Sequence, residues 1–147
     1  MCLPYLILYN RKFRVFLEKQ IKLPDLLIIE ATRKTPAVTL DPNGSIKIQG
    51  RSIPEDAFLF FKKVIDWIDE YIALGKETTT VDLLFEYLNS GTSKHILQIL
   101  KTLKETSKSN HKLIINWYYE DGDDDILERG EYFSTILDLK INLIETE

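Results

Sequence analysis

The sequence is poor in cysteine, glycine and proline, with one, six and five of them in 147 residues. A lone cysteine, Cys2, excludes a disulfide framework and a cysteine-rich zinc module. So few glycines and prolines exclude a collagen-like or low-complexity chain. Positive charge is not in excess either: 19 Lys and Arg stand against 23 Asp and Glu, a net charge of -4. Neutralising phosphates needs clustered basic side chains, so nucleic acid is not an expected partner. No apolar run approaches the roughly 18–20 residues that span a bilayer. At the start, Arg11, Lys12 and Arg14 follow the apolar stretch, the reverse of a secretory signal. The expectation is a cytoplasmic protein with no membrane partner and Cys2 as a free thiol.

What is present suits a packed core: 44% of residues are apolar and 11% aromatic. The length fits one domain, since domains cluster near about 100–150 residues. Residues 1–25 differ from the rest, being basic and aromatic, and read as an N-terminal extension. It reads as a poorly ordered extension, as the product of an upstream start, or as a short helix carrying Phe13, Phe16 and Leu17 that ends at Pro24. The regular domain is expected over 26–147.

Leu26–Glu30, Ala37–Asp41 and Ser45–Gln49 read as three strands, the last two joined by the turn Pro42-Asn43-Gly44. Ser52 reads as the N-cap of a helix over about 55–74, with Pro54, Glu55 and Asp56 in its first turn and Gly75 at its end. Phe61, Val64, Ile65, Ile68, Tyr71 and Ile72 form its apolar stripe. Thr78–Leu88 reads as a long strand with Val81, Leu83, Phe85 and Tyr87 on one face. A helix over about 93–107, a strand from His111 to Tyr119, a helix from Asp123 to Leu137 and a strand from Leu139 to Ile144 complete the order β-β-β-α-β-α-β-α-β. The last helix carries Ile126, Leu127, Tyr132, Phe133 and Ile136 near helical spacing, and Trp67 and Trp117 are expected in or beside the core. Alternating strands and helices imply an α/β (α+β) domain with a mixed sheet, and half-polar strands imply helices mainly on one face.

Motifs for catalysis are sparse. There is no glycine-rich phosphate loop and no Gly-x-Ser-x-Gly elbow. His95 and His111 read as surface residues rather than ligands. Asp121, Asp123 and Asp125 match the first three EF-hand positions, but Ile126 stands where the loop needs Gly, and Tyr132 where it needs the bidentate Glu. Asp66, Asp69 and Glu70 share an exposed helix face. No catalytic residue, metal set or cofactor is assigned.

The most informative segment is Asn89-Ser90-Gly91-Thr92-Ser93-Lys94, which places three hydroxyls where a strand hands over to a helix. Helix N-termini carry unpaired N–H groups and partial positive charge, so such a hydroxyl can cap the helix or bear a phosphate. On physics alone, N-capping by Ser90 or Thr92 is the simpler reading.

An ordered set of short words changes that balance: Thr32-Arg33-Lys34-Thr35-Pro36, Gly50-Arg51-Ser52-Ile53-Pro54-Glu55, Val64-Ile65-Asp66-Trp67-Ile68, Glu86-Tyr87-Leu88-Asn89-Ser90 with Ser93-Lys94, Asn116-Trp117-Tyr118-Tyr119-Glu120, and Glu128-Arg129-Gly130-Glu131-Tyr132-Phe133. From about Ile28 onward the chain resembles the bacterial SiaC family of regulatory phosphoproteins, which are similar in outline to anti-sigma-factor antagonists. The resemblance implies a STAS-like domain, a dedicated kinase, a metal-dependent Ser/Thr phosphatase, and an unphosphorylated form that activates a diguanylate cyclase in cyclic di-GMP signalling. It implies Ser90 as the phosphoacceptor, with Arg51, Asn89, Gly91, Ser93 and Lys94 as its surroundings. The family more often has Thr at this position, and hydroxyl residues where this chain has Gly91 and Thr92, which keeps Thr92 open as the acceptor. Two other readings stand beside it: a small metal-assisted hydrolase built on the acidic 120–131 region, and an interaction domain without a switch, in which Ser90 only caps.

Overall fold

The computed structural model describes residues 24–107 and 110–147. Cys2 and the expected helix around Phe13–Leu17 lie outside the described residues. The elements are β1 (Leu27–Ile29), β2 (Ala37–Asp41), β3 (Ser45–Ser52), α1 (Ala57–Ile72), β4 (Thr78–Leu88), α2 (Ser90–Glu105), β5 (Lys112–Glu120), α3 (Asp124–Leu137) and β6 (Ile141–Thr146). They follow the order expected from the sequence.

One six-stranded sheet runs β1-β2-β3-β4-β5-β6. The first three strands pair antiparallel and β3 to β6 pair parallel. Each parallel step carries one helix. Right-handed crossovers that always advance the same way leave their helices on the same side, so α1, α2 and α3 cover one face. Alternate strand residues meet them there: Val38, Leu40, Ile46, Ile48, Val81, Leu83, Ile115 and Trp117 pack against Phe61, Val64, Ile68, Ile96, Leu100 and Phe133. Trp67 and Trp117 are both buried. The opposite face bears a polar row in register, Lys47–Asp82–Asn116–Asn142, with Asn116 Nδ2 donating to Asp82 at 2.9 Å and Asn142 Nδ2 to Asn116 at 3.0 Å.

The β2–β3 turn demands its glycine twice over. Gly44 sits at φ 115, and a Cβ there would lie 2.5 Å from the Thr78 carbonyl oxygen. Its own carbonyl accepts from Thr80 N at 2.8 Å, which ties the turn to the start of β4.

Several local expectations are corrected. Ser52 does not cap α1; it ends β3 with its side chain fully buried. The cap is Asp56, whose carboxylate accepts from Leu59 N at 2.9 Å, and Glu55 pairs with Lys34 instead. Gly75 lies two positions beyond the C-cap, Ala73. Tyr87 does not share the inner face of β4. The β3–β4 register shifts between Gly50 and Arg51, so Gly50 opposes Phe85 while Arg51 opposes Tyr87, and Glu86 is skipped. The bulge turns Glu86 and Tyr87 both outward and returns Leu88 to the core. On α3, Ile126 and Phe133 are buried while Tyr132 and Ile136 stay exposed.

The two histidines are not simple surface residues. His95 is half-buried, stacks on Phe61 with centroids 5.4 Å apart and bonds the Gly91 carbonyl through Nδ1 at 2.8 Å. His111 bridges Thr79 Oγ1 at 2.8 Å and Ser107 Oγ at 2.9 Å.

Candidate functional site at the junction of β4 and α2

α2 begins at Ser90, three residues earlier than the sequence pattern suggested, because the polar break is itself the first turn. Its cap is Asn89, neither Ser90 nor Thr92: the Asn89 side-chain oxygen accepts from Thr92 N at 2.9 Å. Asn89 is held in turn by its own N–H, which donates to the Ser52 carbonyl at 3.1 Å. The bulge contributes here, since it carries Leu88 into the core immediately before the cap.

The hydroxyls of the segment have different fates. Thr92 is fully buried. Its hydroxyl donates to the Ser52 carbonyl at 3.2 Å and accepts from the Ser52 hydroxyl at 2.7 Å, pinning α2 to the end of β3. Ser93 Oγ accepts from Arg129 Nη1 at 2.8 Å. Ser90, the first residue of α2, is exposed and is not the cap. Gly91 lies where a Cβ would approach Ala57 Cβ to 3.1 Å, so the starts of α1 and α2 touch at this point.

Ser90 opens onto a groove of about 1590 Å³ between α2 and α3. Ser93, Lys94 and Leu97 line it from α2, and Arg129, Tyr132 and Ile136 from α3. Lys101 and Lys104 extend the α2 wall with positive charge, whereas Asp125 and Glu128 make the α3 wall acidic. Tyr87, Tyr132 and Ile136 are 52%, 55% and 54% exposed, and Phe58 and Leu59 at the start of α1 are more open still. Tyr87, Tyr132 and Ile136 thus leave large apolar surface in water along one groove, the kind of patch that interaction sites use.

The structure brings Asn89, Ser90, Gly91, Ser93 and Lys94 together on one helix start, and sets Arg51 against Tyr87, which lines the same groove as Ser90. The Arg51 guanidinium lies over the Tyr87 ring, 5.9 Å from its centroid. The arginine that reaches the first turn of α2 is Arg129. In the sequence Arg129 stands within Glu128-Arg129-Gly130-Glu131, where nothing local marks it for this contact. Its contact with Ser93 spans 36 residues, and only the packing of α3 against α2 discloses it.

The acidic segment has structural employment. Asp121 N donates to the Thr146 carbonyl at 3.1 Å, and Asp123 caps α3 by accepting from Ile126 N at 3.1 Å. Asp124 and Asp125 then occupy the first turn, where negative charge complements the helix dipole. Among the described residues no group of three or more His, Cys, Asp or Glu side chains is placed to hold a metal ion. Among them, too, no helix is long and apolar enough to cross a membrane.

This arrangement, an exposed hydroxyl at a capped strand–helix junction beside a groove, sits within the region that matches a known family. The sequence profile of the SiaC family of regulatory phosphoproteins covers residues 29–146. The chain belongs to that family. An uncharacterized protein of Pseudomonas aeruginosa strain UCBPP-PA14 is 32% identical over 108 residues, covering 73% of this chain and 86% of that protein. The fold superimposes on SiaC of P. aeruginosa in two further settings. One is its complex with the diguanylate cyclase SiaD, which it activates (TM-score 0.76, 29% identity, 82% of this chain and 99% of that one). The other is apo-SiaC (TM-score 0.73, 29% identity, 84% and 99%). Family members are regulatory proteins, and the mixed six-stranded sheet with three helices is their fold.

Proposed function

We propose that this chain is a non-enzymatic partner switch in which phosphorylation of Ser90 controls docking to an effector, and that the effector is a diguanylate cyclase, as SiaD is for SiaC. The observation that carries the reading is the contrast between Ser90 and Thr92. Ser90 presents an exposed hydroxyl at the mouth of the groove, whereas Thr92 is buried with its hydroxyl engaged by Ser52 as both donor and acceptor. A kinase can reach the first without disturbing the fold; phosphate on the second requires α2 to detach from β3.

The switch works through desolvation. In the unmodified form the partner covers Tyr87, Tyr132 and Ile136 and the neutral Ser90 between them. A phosphate adds roughly -1.5 to -2 charge at neutral pH. It does so in a groove that already contains Glu86, Asp125 and Glu128. Covering that anion removes it from water, which docking of apolar surface does not offset. A kinase and a metal-dependent Ser/Thr phosphatase are the partners that would set and reset the state.

The test compares the full chain, unmodified and with phosphoserine encoded at position 90, for affinity and activation of the diguanylate cyclase of its own organism. The expected result is a loss of about a hundredfold in affinity, equivalent to roughly 2.8 kcal/mol, with activation lost in parallel. Equal affinity of the two forms overturns the reading.

A further inference from the structure

Arg129 is a cation held on neutral groups. Its Nη1 donates to Ser93 Oγ at 2.8 Å and makes a long contact of 3.5 Å with the Leu88 carbonyl. Among the described residues it forms no ion pair. Ser93 and Ser90 are three residues apart on α2 and therefore neighbours on one helix face. Both line the groove with Arg129. Arg129, Tyr132 and Ile136 in turn follow one another along the groove side of α3.

We propose that Arg129 reads the modification: when Ser90 carries a phosphate monoester, the guanidinium exchanges Ser93 and Leu88 for the phosphate and ties α3 to the first turn of α2 across the groove mouth. The inference rests on the reading of Ser90 as the acceptor and names what senses it. Exchange is favoured because phosphate offers the guanidinium an opposite charge and a bidentate contact, whereas Ser93 and Leu88 offer only single neutral oxygens. Phosphate then acts in two ways, placing an anion on the docking surface and drawing together the two walls between which the partner must enter. Lys94, exposed on the neighbouring turn, is the competing cation, while Asp125 and Glu128 oppose the anion from α3.

The experiment is a phosphorus-31 NMR pH titration of the full chain with phosphoserine at position 90. Wild type is compared with Arg129→Gln, Arg129→Lys and Lys94→Gln, each first shown to keep the wild-type amide spectrum. A free phosphoserine has its second pKa near about 6. Pairing with a fixed cation is expected to lower it by about half a unit to one unit in wild type. Arg129→Gln is expected to return it to the free value, with Arg129→Lys between the two and Lys94→Gln close to wild type. Identical titrations for wild type and Arg129→Gln overturn the assignment, as does a shift abolished by Lys94→Gln alone. Should Arg129→Gln lose the amide spectrum, Arg129→Lys against Lys94→Gln decides the same question. The titration reports pairing whether or not phosphate alters partner affinity. A lowered value with unchanged cyclase binding therefore sinks the switch and keeps the pairing, and the converse result does the reverse.

Discussion

Replacing Gly130 with alanine adds one methyl group to the face of α3 that lies on the sheet, and the structure says where that methyl must go. An added Cβ would sit 2.6 Å from Trp117 Cδ1, 2.8 Å from Leu143 Cδ2 and 2.9 Å from Trp117 Cγ. Carbon atoms in contact prefer about 3.5–4.0 Å. Trp117 has little room to retreat: it is fully buried, its indole N–H donates to the Ile126 carbonyl at 2.9 Å, and Phe85 and Phe133 flank it at 5.8 and 5.3 Å. Overpacking of this kind costs up to about 3 kcal/mol. Loss of the indole hydrogen bond adds about 1 kcal/mol. Alanine recovers about 1 kcal/mol through its better helix propensity. The expected net effect is a destabilisation of about 2–3 kcal/mol, or roughly 8–12 °C in Tm for a domain of this size. Urea unfolding followed by tryptophan fluorescence measures it, with an unchanged m-value showing that the unfolded state is not the cause. A Gly130→Ala chain as stable as wild type, or more so, would refute the reasoning, because propensity alone would then govern this position. The close approach that glycine permits also sets Arg129, its neighbour, over the first turn of α2.

The junction carries its own stability test. Asn89→Ala is expected to cost about 1 kcal/mol as a lost cap. Thr92→Val, which leaves Ser52 without its buried partner, is expected to cost about 1–2 kcal/mol. Ser90→Ala should stay within about 0.5 kcal/mol of wild type; a Ser90→Ala chain as unstable as Thr92→Val in urea would show that Ser90 is structural. Alkaline pH offers a separate check. Burial raises the Tyr71 phenol above its ordinary value, partly countered by its bond to Thr79. Because the fold disfavours the phenolate, stability is complete below the unfolded value of about 10 and falls as pH rises through it toward the folded value. Tyr118, raised by desolvation and by Asp82, acts in the same direction. Chemical denaturation from pH 8 to 11 should show this decline in wild type and a shallower one in Tyr71→Phe; equal slopes would contradict it.

The order of elements was legible because each rests on local signals. Two-residue alternation in Ser45–Gln49, the helical stripe Phe61–Ile72 and the Asn-Gly turn report strand, helix and hairpin without reference to distant residues. The errors were nonlocal. Strict alternation through Glu86 points Tyr87 inward, but the bulge opposite Arg51 arises from pairing with β3, 36 residues away. Ser52 has the chemistry of a cap, yet its hydroxyl is taken by Thr92, 40 residues on, so that Asp56 performs the capping. Tyr132 and Ile136 have helical spacing, but whether such a stripe is core or groove wall depends on what lies opposite.

The candidate site divides along the same line. Asn89, Ser90, Gly91, Ser93 and Lys94 are contiguous, so the sequence alone determined that these side chains share one helix start and that a hydroxyl stands there. Which hydroxyl is exposed depended on β3, whose last residue buries Thr92 and leaves Ser90 in water. Which arginine bonds that turn depended on α3 settling onto the sheet through Gly130, beside α2, which brings Arg129 to Ser93 while Arg51 lies over Tyr87. Local periodicity and capping chemistry are written in neighbouring residues, whereas burial and charge proximity are properties of surfaces that meet only after the chain has folded.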